Sequence, residues 1–154
     1  MIDLLQLSAF NAAYAQAIDS DALESWPAFF TEDCRYRITN VANEREGLPA
    51  GVVYADSRAM LEDRIAALRE ANIYERHRYR HLLGMPLVES SDDKAAVART
   101  PFMVARIMYT GETMLFASGE YRDRFVKVAG KLLLAERVAV CDSTVTDTLL
   151  VLPL

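Results

Sequence analysis

Cysteine and histidine are scarce in this 154-residue chain, two of each, and each scarcity excludes a class of chemistry. Cys34 and Cys141 are too few for a disulfide framework, and in a reducing compartment both read as small core residues. Neither has a histidine nearby in the sequence, so the paired cysteine and histidine ligands of a Rieske iron-sulfur centre cannot be assembled here. His77 and His81 are four apart, a spacing that shares one face of a helix. On a strand the same two lie ~13 Å apart, too far for one metal ion. The six glycines, at 47, 51, 84, 111, 119 and 130, form neither a phosphate-binding loop nor a dinucleotide fingerprint. Positive charge is in deficit, with 17 basic against 22 acidic side chains, a net charge of -5 and a pI near 5.1. That is the wrong sign for a binder of nucleic acid or anionic membrane. No apolar run approaches the ~20 residues that span a bilayer, and the opening residues carry no basic stretch ahead of an apolar core. The expectation is a soluble, cytoplasmic chain of one domain, which removes roughly 70% of its unfolded surface from water.

What the chain concentrates is arginine. Residues 74–84 read Tyr-Glu-Arg-His-Arg-Tyr-Arg-His-Leu-Leu-Gly, holding both histidines and three arginines at alternate positions. A period of two predicts a strand with Arg76, Arg78, Arg80 and Leu82 on one face and His77, Tyr79, His81 and Leu83 on the other. A solvated strand has no need of so many planar cations, and a core strand could not bury them without carboxylates. Their guanidinium forks are expected to pair with Glu75, Glu120, Asp123 or Glu136, on neighbouring strands or on another chain. An RNA-binding reading, adding Arg35, Arg37 and Arg64, conflicts with the acidic balance.

Around this stretch the chain runs from helices to strands. Leu7, Phe10, Tyr14 and Ala17 recur at helical spacing and predict an amphipathic helix over 2–18. Asp21 with Glu24 matches a capping box for a short second helix carrying Leu23 and Trp26 and limited by Pro27. Residues 34–41 alternate as a first strand, and 42–51, with Gly47, Pro49 and Gly51, reads as a loop. Ser57 is a cap for a helix over 57–72 with Leu61, Ile65 and Leu68 inward. Three long strands follow over 95–109, 113–126 and 131–141, with a bulge or edge position required at Pro101. The predicted class is α+β, a cone of nuclear-transport-factor-2-like (NTF2-like) or cystatin-like type with helices on one face of a curved, mostly antiparallel sheet. The tail, residues 142–154, ends in an apolar run that needs something to dock on, and subunit contact is its expected role.

Such cones often enclose a pocket, and Tyr14, Asp33, Tyr36 and His81 could line one as acid, base and oxyanion donors of a small isomerase or dehydratase. Tyrosines and an aspartate at an apolar wall are also ordinary satisfied core residues. A second reading comes from Trp26, residues 30–36 (Phe-Thr-Glu-Asp-Cys-Arg-Tyr), 78–82 (Arg-Tyr-Arg-His-Leu), 119–123 (Gly-Glu-Tyr-Arg-Asp) and Arg137. Taken together these resemble the small (β) subunits of aromatic-ring-hydroxylating dioxygenases over nearly the whole chain. Relatives often carry Asn where this chain has Met85.

The resemblance implies a structural, non-catalytic subunit in a complex of three large (α) and three small (β) subunits. The large subunit would hold the Rieske 2Fe-2S cluster and a mononuclear non-haem iron, draw electrons from NAD(P)H and add dioxygen to an aromatic carboxylate. No catalytic residue, metal or cofactor is then expected in this chain. Its contribution would be adhesive surface, with Trp26, Arg76, Arg78, Tyr79, Arg80, His81, Glu120, Leu150 and Leu152 as the expected subunit-interface residues.

Overall fold

The computed structural model describes residues 1–47, 53–71, 76–143 and 152–154. Asp3 opens the first helix, α1 (Leu4–Asp19), by a capping box: its carboxylate accepts from the Gln6 backbone N–H at 2.8 Å and its own N–H donates to the Gln6 side chain at 2.9 Å. Leu7, Tyr14, Ala17 and Ile18 are buried, and the half-buried Phe10 meets Phe29 and Phe125 edge-on at 5.4 and 5.3 Å.

The expected second capping box does not form. A 3-10 helix (Leu23–Phe29) starts without a side-chain cap, Asp21 takes a left-handed φ of 62°, and Arg69 claims both carboxylates, at 2.9 Å from Asp21 and 2.7 Å from Glu24. A guanidinium fork outcompetes a backbone N–H for a carboxylate, because both partners are charged.

Strand β1 (Phe30–Asn40) turns Cys34, Tyr36 and Ile38 into the core. Asn40 then caps a short helix, α2 (Val41–Arg45), where a loop was expected; its side chain accepts from the Asn43 N–H at 2.9 Å. Strand β2 (Val53–Ala55) pairs antiparallel with β1 and has too few residues to show a period. Helix α3 (Arg58–Ala71) begins after Ser57, whose hydroxyl accepts from the Met60 N–H, and buries Leu61, Ile65 and Leu68 as its spacing predicts.

The remaining strands are β3 (His77–Leu83), β4 (Leu87–Ser91), β5 (Ala95–Met108), β6 (Thr113–Val128) and β7 (Lys131–Cys141). The last three form the antiparallel meander the sequence predicts. The sheet is nonetheless mixed, because β7 runs parallel to β1 at its other side, and the order is β2-β1-β7-β6-β5-β3 with β4 also on β5. Along β5, β3 reaches back to Phe102 and β4 reaches up to Arg99, so Pro101 faces the break between them. Its missing N–H therefore removes no ladder bond on that side, and its carbonyl accepts from Gly84 at 2.8 Å. Bulges at Val104/Ala105 and Arg124/Phe125 curl the long strands. Helix α1 packs against β3 and helix α3 against β1, and aliphatic side chains together with eight aromatic ones fill the core. Among the described residues no helix is long and apolar enough to cross a membrane.

Candidate functional site: a filled interior and an open outer face

Two regions carry chemistry, and both are built on arginine. The first lies inside. In β7 the residues Glu136 and Arg137 are adjacent, so a strand must send one of them inward, and it sends Arg137, which is fully buried. Cross-strand from it stands Asp123, and the two pair bidentately, Nε to Oδ1 and Nη2 to Oδ2, both at 2.8 Å. Nη2 also donates to Asn11 Oδ1 at 2.6 Å, and Asn11 Nδ2 donates to Thr100 Oγ1 at 3.3 Å. The guanidinium is sandwiched between the rings of Tyr121 and Tyr14, 3.9 and 4.2 Å from their centroids. Burial opposes its charge, but the adjacent Asp123 outweighs that and holds Arg137 above the ordinary arginine range.

Beside this pair the chain's own residues 152–154 enter the core. Leu152 and Leu154 are 5% and 1% exposed, and the Leu154 carbonyl accepts from Tyr14 Oη at 2.8 Å and Tyr36 Oη at 3.1 Å. The Leu154 N–H donates back to Tyr36 Oη at 3.0 Å. Burial pushes both tyrosine hydroxyls up from their ordinary range, so both remain protonated donors.

This geometry dismantles the pocket quartet expected from the sequence. Tyr14 and Tyr36 do converge, but on the chain's own backbone. Asp33 is exposed, because the alternation of β1 that turns Cys34 inward turns its neighbour out. His81 is engaged elsewhere: its ring Nδ1 lies 2.7 Å from Asp19 Oδ1, and its backbone N–H donates to Asp19 Oδ2 at 2.8 Å. Asp19 thereby covers the outer edge of β3, which would otherwise offer a free N–H to another strand. His77 and His81 flank Tyr79 on one face, at 5.6 and 6.1 Å between ring centroids. Among the described residues no three His, Cys, Asp or Glu side chains group as a metal site.

The second region lies outside. The predicted split of β3 is observed: Arg78, Arg80 and Leu82 face out, while Tyr79 and His81 are 1% and 7% exposed. Among the described residues none of the expected intrachain carboxylate partners forms an ion pair with these arginines. Asp123 is bound to Arg137, Glu120 meets Arg122 at 3.1 Å and Arg99 at 3.5 Å, and Glu75 lies outside the described residues. Among the described residues no ion pair is made by Arg76, Arg78 or Arg80. The same face continues as an apolar surface: Leu82 lies opposite Met103, and Arg80 opposite Ala105, which pairs onward with Leu115. Leu82, Leu115 and Met103 are 66%, 57% and 46% exposed.

Of the expected interface residues, Arg76, Arg78 and Arg80 are therefore on the surface and Glu120 is half-buried at its rim. Trp26, Tyr79, His81 and Leu152 are covered by this chain's own core, which takes them out of a partner's reach and corrects that part of the expectation. Leu150 lies outside the described residues. The inward Arg137 was missed as a site residue, although a basic residue within the run Leu-Leu-Leu-Ala-Glu-Arg-Val-Ala-Val already calls for a buried carboxylate across the sheet.

Comparison with known proteins agrees with this architecture. The SnoaL-like domain family matches residues 2–138. The chain is 68% identical, over all 154 residues and the whole of the relative, to the terephthalate 1,2-dioxygenase terminal oxygenase component subunit beta 1 of Comamonas sp. It is 35% identical to the anthranilate 1,2-dioxygenase small subunit of Burkholderia cepacia, over 92% of this chain and 88% of that one. A crystal structure of a β subunit assigned to an aromatic-ring-hydroxylating dioxygenase of Novosphingobium aromaticivorans superposes with a TM-score of 0.90 at 37% identity, covering 98% of this chain and 96% of the other.

Proposed function

The chain belongs to the SnoaL-like family and, within it, to the β subunits of aromatic-ring-hydroxylating dioxygenases, and from that premise we propose that it is the structural β subunit of a terephthalate 1,2-dioxygenase. Its 68% identity from end to end with a terephthalate oxygenase β subunit carries this reading. The large subunit holds the Rieske cluster and the mononuclear iron, takes electrons from NAD(P)H and performs the cis-dihydroxylation in the cytoplasm. Three copies of each chain make the α3β3 complex.

This chain's part is to present a surface that another protein completes. The outer face of β3, β5 and β6 combines the guanidinium groups of Arg78 and Arg80, which make no ion pair among the described residues, with exposed Leu82, Met103 and Leu115. Arginine and apolar groups side by side are the composition of interface centres. A partner patch of carboxylates around an apolar middle fits it, with Glu120 at the rim, while Tyr79 and His81 lie buried on the opposite face of β3.

Co-expression with the large subunit tests the reading. The pair should co-purify, sediment as a hexamer and consume oxygen with terephthalate, while this chain alone should be colourless and iron-free. A colourless pair that fails to associate, or iron bound stoichiometrically by this chain alone, refutes it.

A further inference from the structure

We propose that the open cleft beside β3 is the receptacle for an anchor of the large subunit: one bulky apolar side chain flanked by aspartate or glutamate. The inference rests on the subunit reading and adds where the partner is gripped and by what chemistry. The cleft has a volume of about 780 Å³, a size that seats an anchoring group. Its bottom is apolar, with Ile18, Leu68, Met108 and Leu152 all buried. Leu152 also belongs to the core cluster, so an occupant stops against it and does not enter the interior.

Both walls are fixed before a partner arrives. On one side Arg69 is held by Asp21 at 2.9 Å and by Glu24 at 2.7 Å. On the other, the Tyr109 N–H donates to the Arg76 carbonyl at 3.0 Å and so carries the pairing of β3 with β5 up to the rim. The turn that follows β5 is closed by the Gly111 N–H on the Met108 carbonyl and by the Met108 N–H on the Glu112 carbonyl, both at 2.8 Å. A cleft already in shape avoids the ordering cost that a flexible one incurs on binding.

The rim is cationic and aromatic. Asp21, the one carboxylate among the described lining residues, is tied to Arg69, which leaves Arg76 and Arg78 to set the sign of the field. Tyr109 beside them is 72% exposed. Arginine and tyrosine around an apolar hollow are the composition that grips a partner's anchor. Arg78 stands opposite Ile107, and its strand leads on to Arg80 and Leu82, so the cleft is continuous with the outer face.

The experiment uses the complex with the large subunit, reading Kd by sedimentation and following melting of the single chain alongside. Arg76→Glu should weaken association roughly thirtyfold and Tyr109→Ala roughly tenfold. Both side chains are exposed, so the melting of the single chain should not move. A photo-crosslinker, p-benzoylphenylalanine, placed at Tyr109 should capture a large-subunit peptide in which aspartate or glutamate flanks an apolar residue. Changing the captured carboxylate to lysine should then restore affinity to the Arg76→Glu chain and not to the Tyr109→Ala chain. Capture of a second copy of this chain, or of a peptide without carboxylates, overturns the inference, as does a complex whose Kd moves less than about threefold in both variants. If the unaltered chain does not associate with the large subunit at all, the subunit reading is what fails, and the inference falls with it.

Discussion

Arg137 and Arg80 are the same side chain in opposite circumstances, and the contrast separates what builds this molecule from what it offers to others. Inside the cone the guanidinium of Arg137 cannot reach water, so it is met by Asp123, Asn11 and two aromatic faces. A buried unpaired charge would otherwise cost several kcal/mol. On the outer face Arg78 and Arg80 are solvated, and no such demand is made. Their donors stay available for a second molecule.

The contrast is broken most sharply from within. Asp123→Ala strands Arg137 and should lower unfolding free energy by about 3–5 kcal/mol in urea titration, a large share of a typical domain's stability. Leaving that value within 1 kcal/mol of the unaltered chain would mean, on the same scale, that the pair is not what holds the interior. Next in size, Arg78→Ala with Arg80→Ala should weaken association with the large subunit by about 2 kcal/mol, roughly thirtyfold in Kd, while shifting the lone chain's stability by no more than about 0.5 kcal/mol. Sedimentation of the complex set beside melting of the single chain reads both numbers, and equal losses in the two would erase the distinction. Tyr36→Phe keeps the ring and removes the bonds to Leu154, for an expected loss of about 1–2 kcal/mol. Arg69→Ala is the intermediate case, a paired but largely exposed guanidinium, and should cost only about 0.2–1 kcal/mol, shrinking further in high salt.

Alkali offers a separate probe of the interior. Burial pushes the Cys34 and Cys141 thiols up to about 11, each above its value in the unfolded chain. A raised value means the fold favours the protonated thiol, so this stabilisation is complete below the ordinary thiol range and is lost as pH climbs from about 9 toward 11. Melting temperature should fall across that window, and iodoacetamide should label Cys34 far more slowly at pH 8 than it labels a free thiol.

Legibility followed the length of each signal. Helices α1 and α3 and the three long strands were readable because each repeats its period several times. β2 has three residues and α2 five, too short to show a period; β2 arises where β1 completes its hydrogen bonds, and α2 where Asn40 caps a single turn. The Asp21 and Glu24 cap failed for a related reason. Local spacing cannot see Arg69, more than forty residues on, which binds those carboxylates better than the backbone does.

Alternation alone determined that β3 carries a cationic face and an aromatic face, and family membership was legible in short runs spread along the chain. Neither could tell which face would look outward, nor that Asp123 would be spent inside and so denied to the outer arginines. Nor could they show that the apolar tail ends in its own chain's core. Those outcomes depend on which side of the sheet the helices cover, and that is decided only when residues more than a hundred positions apart compete for one interior.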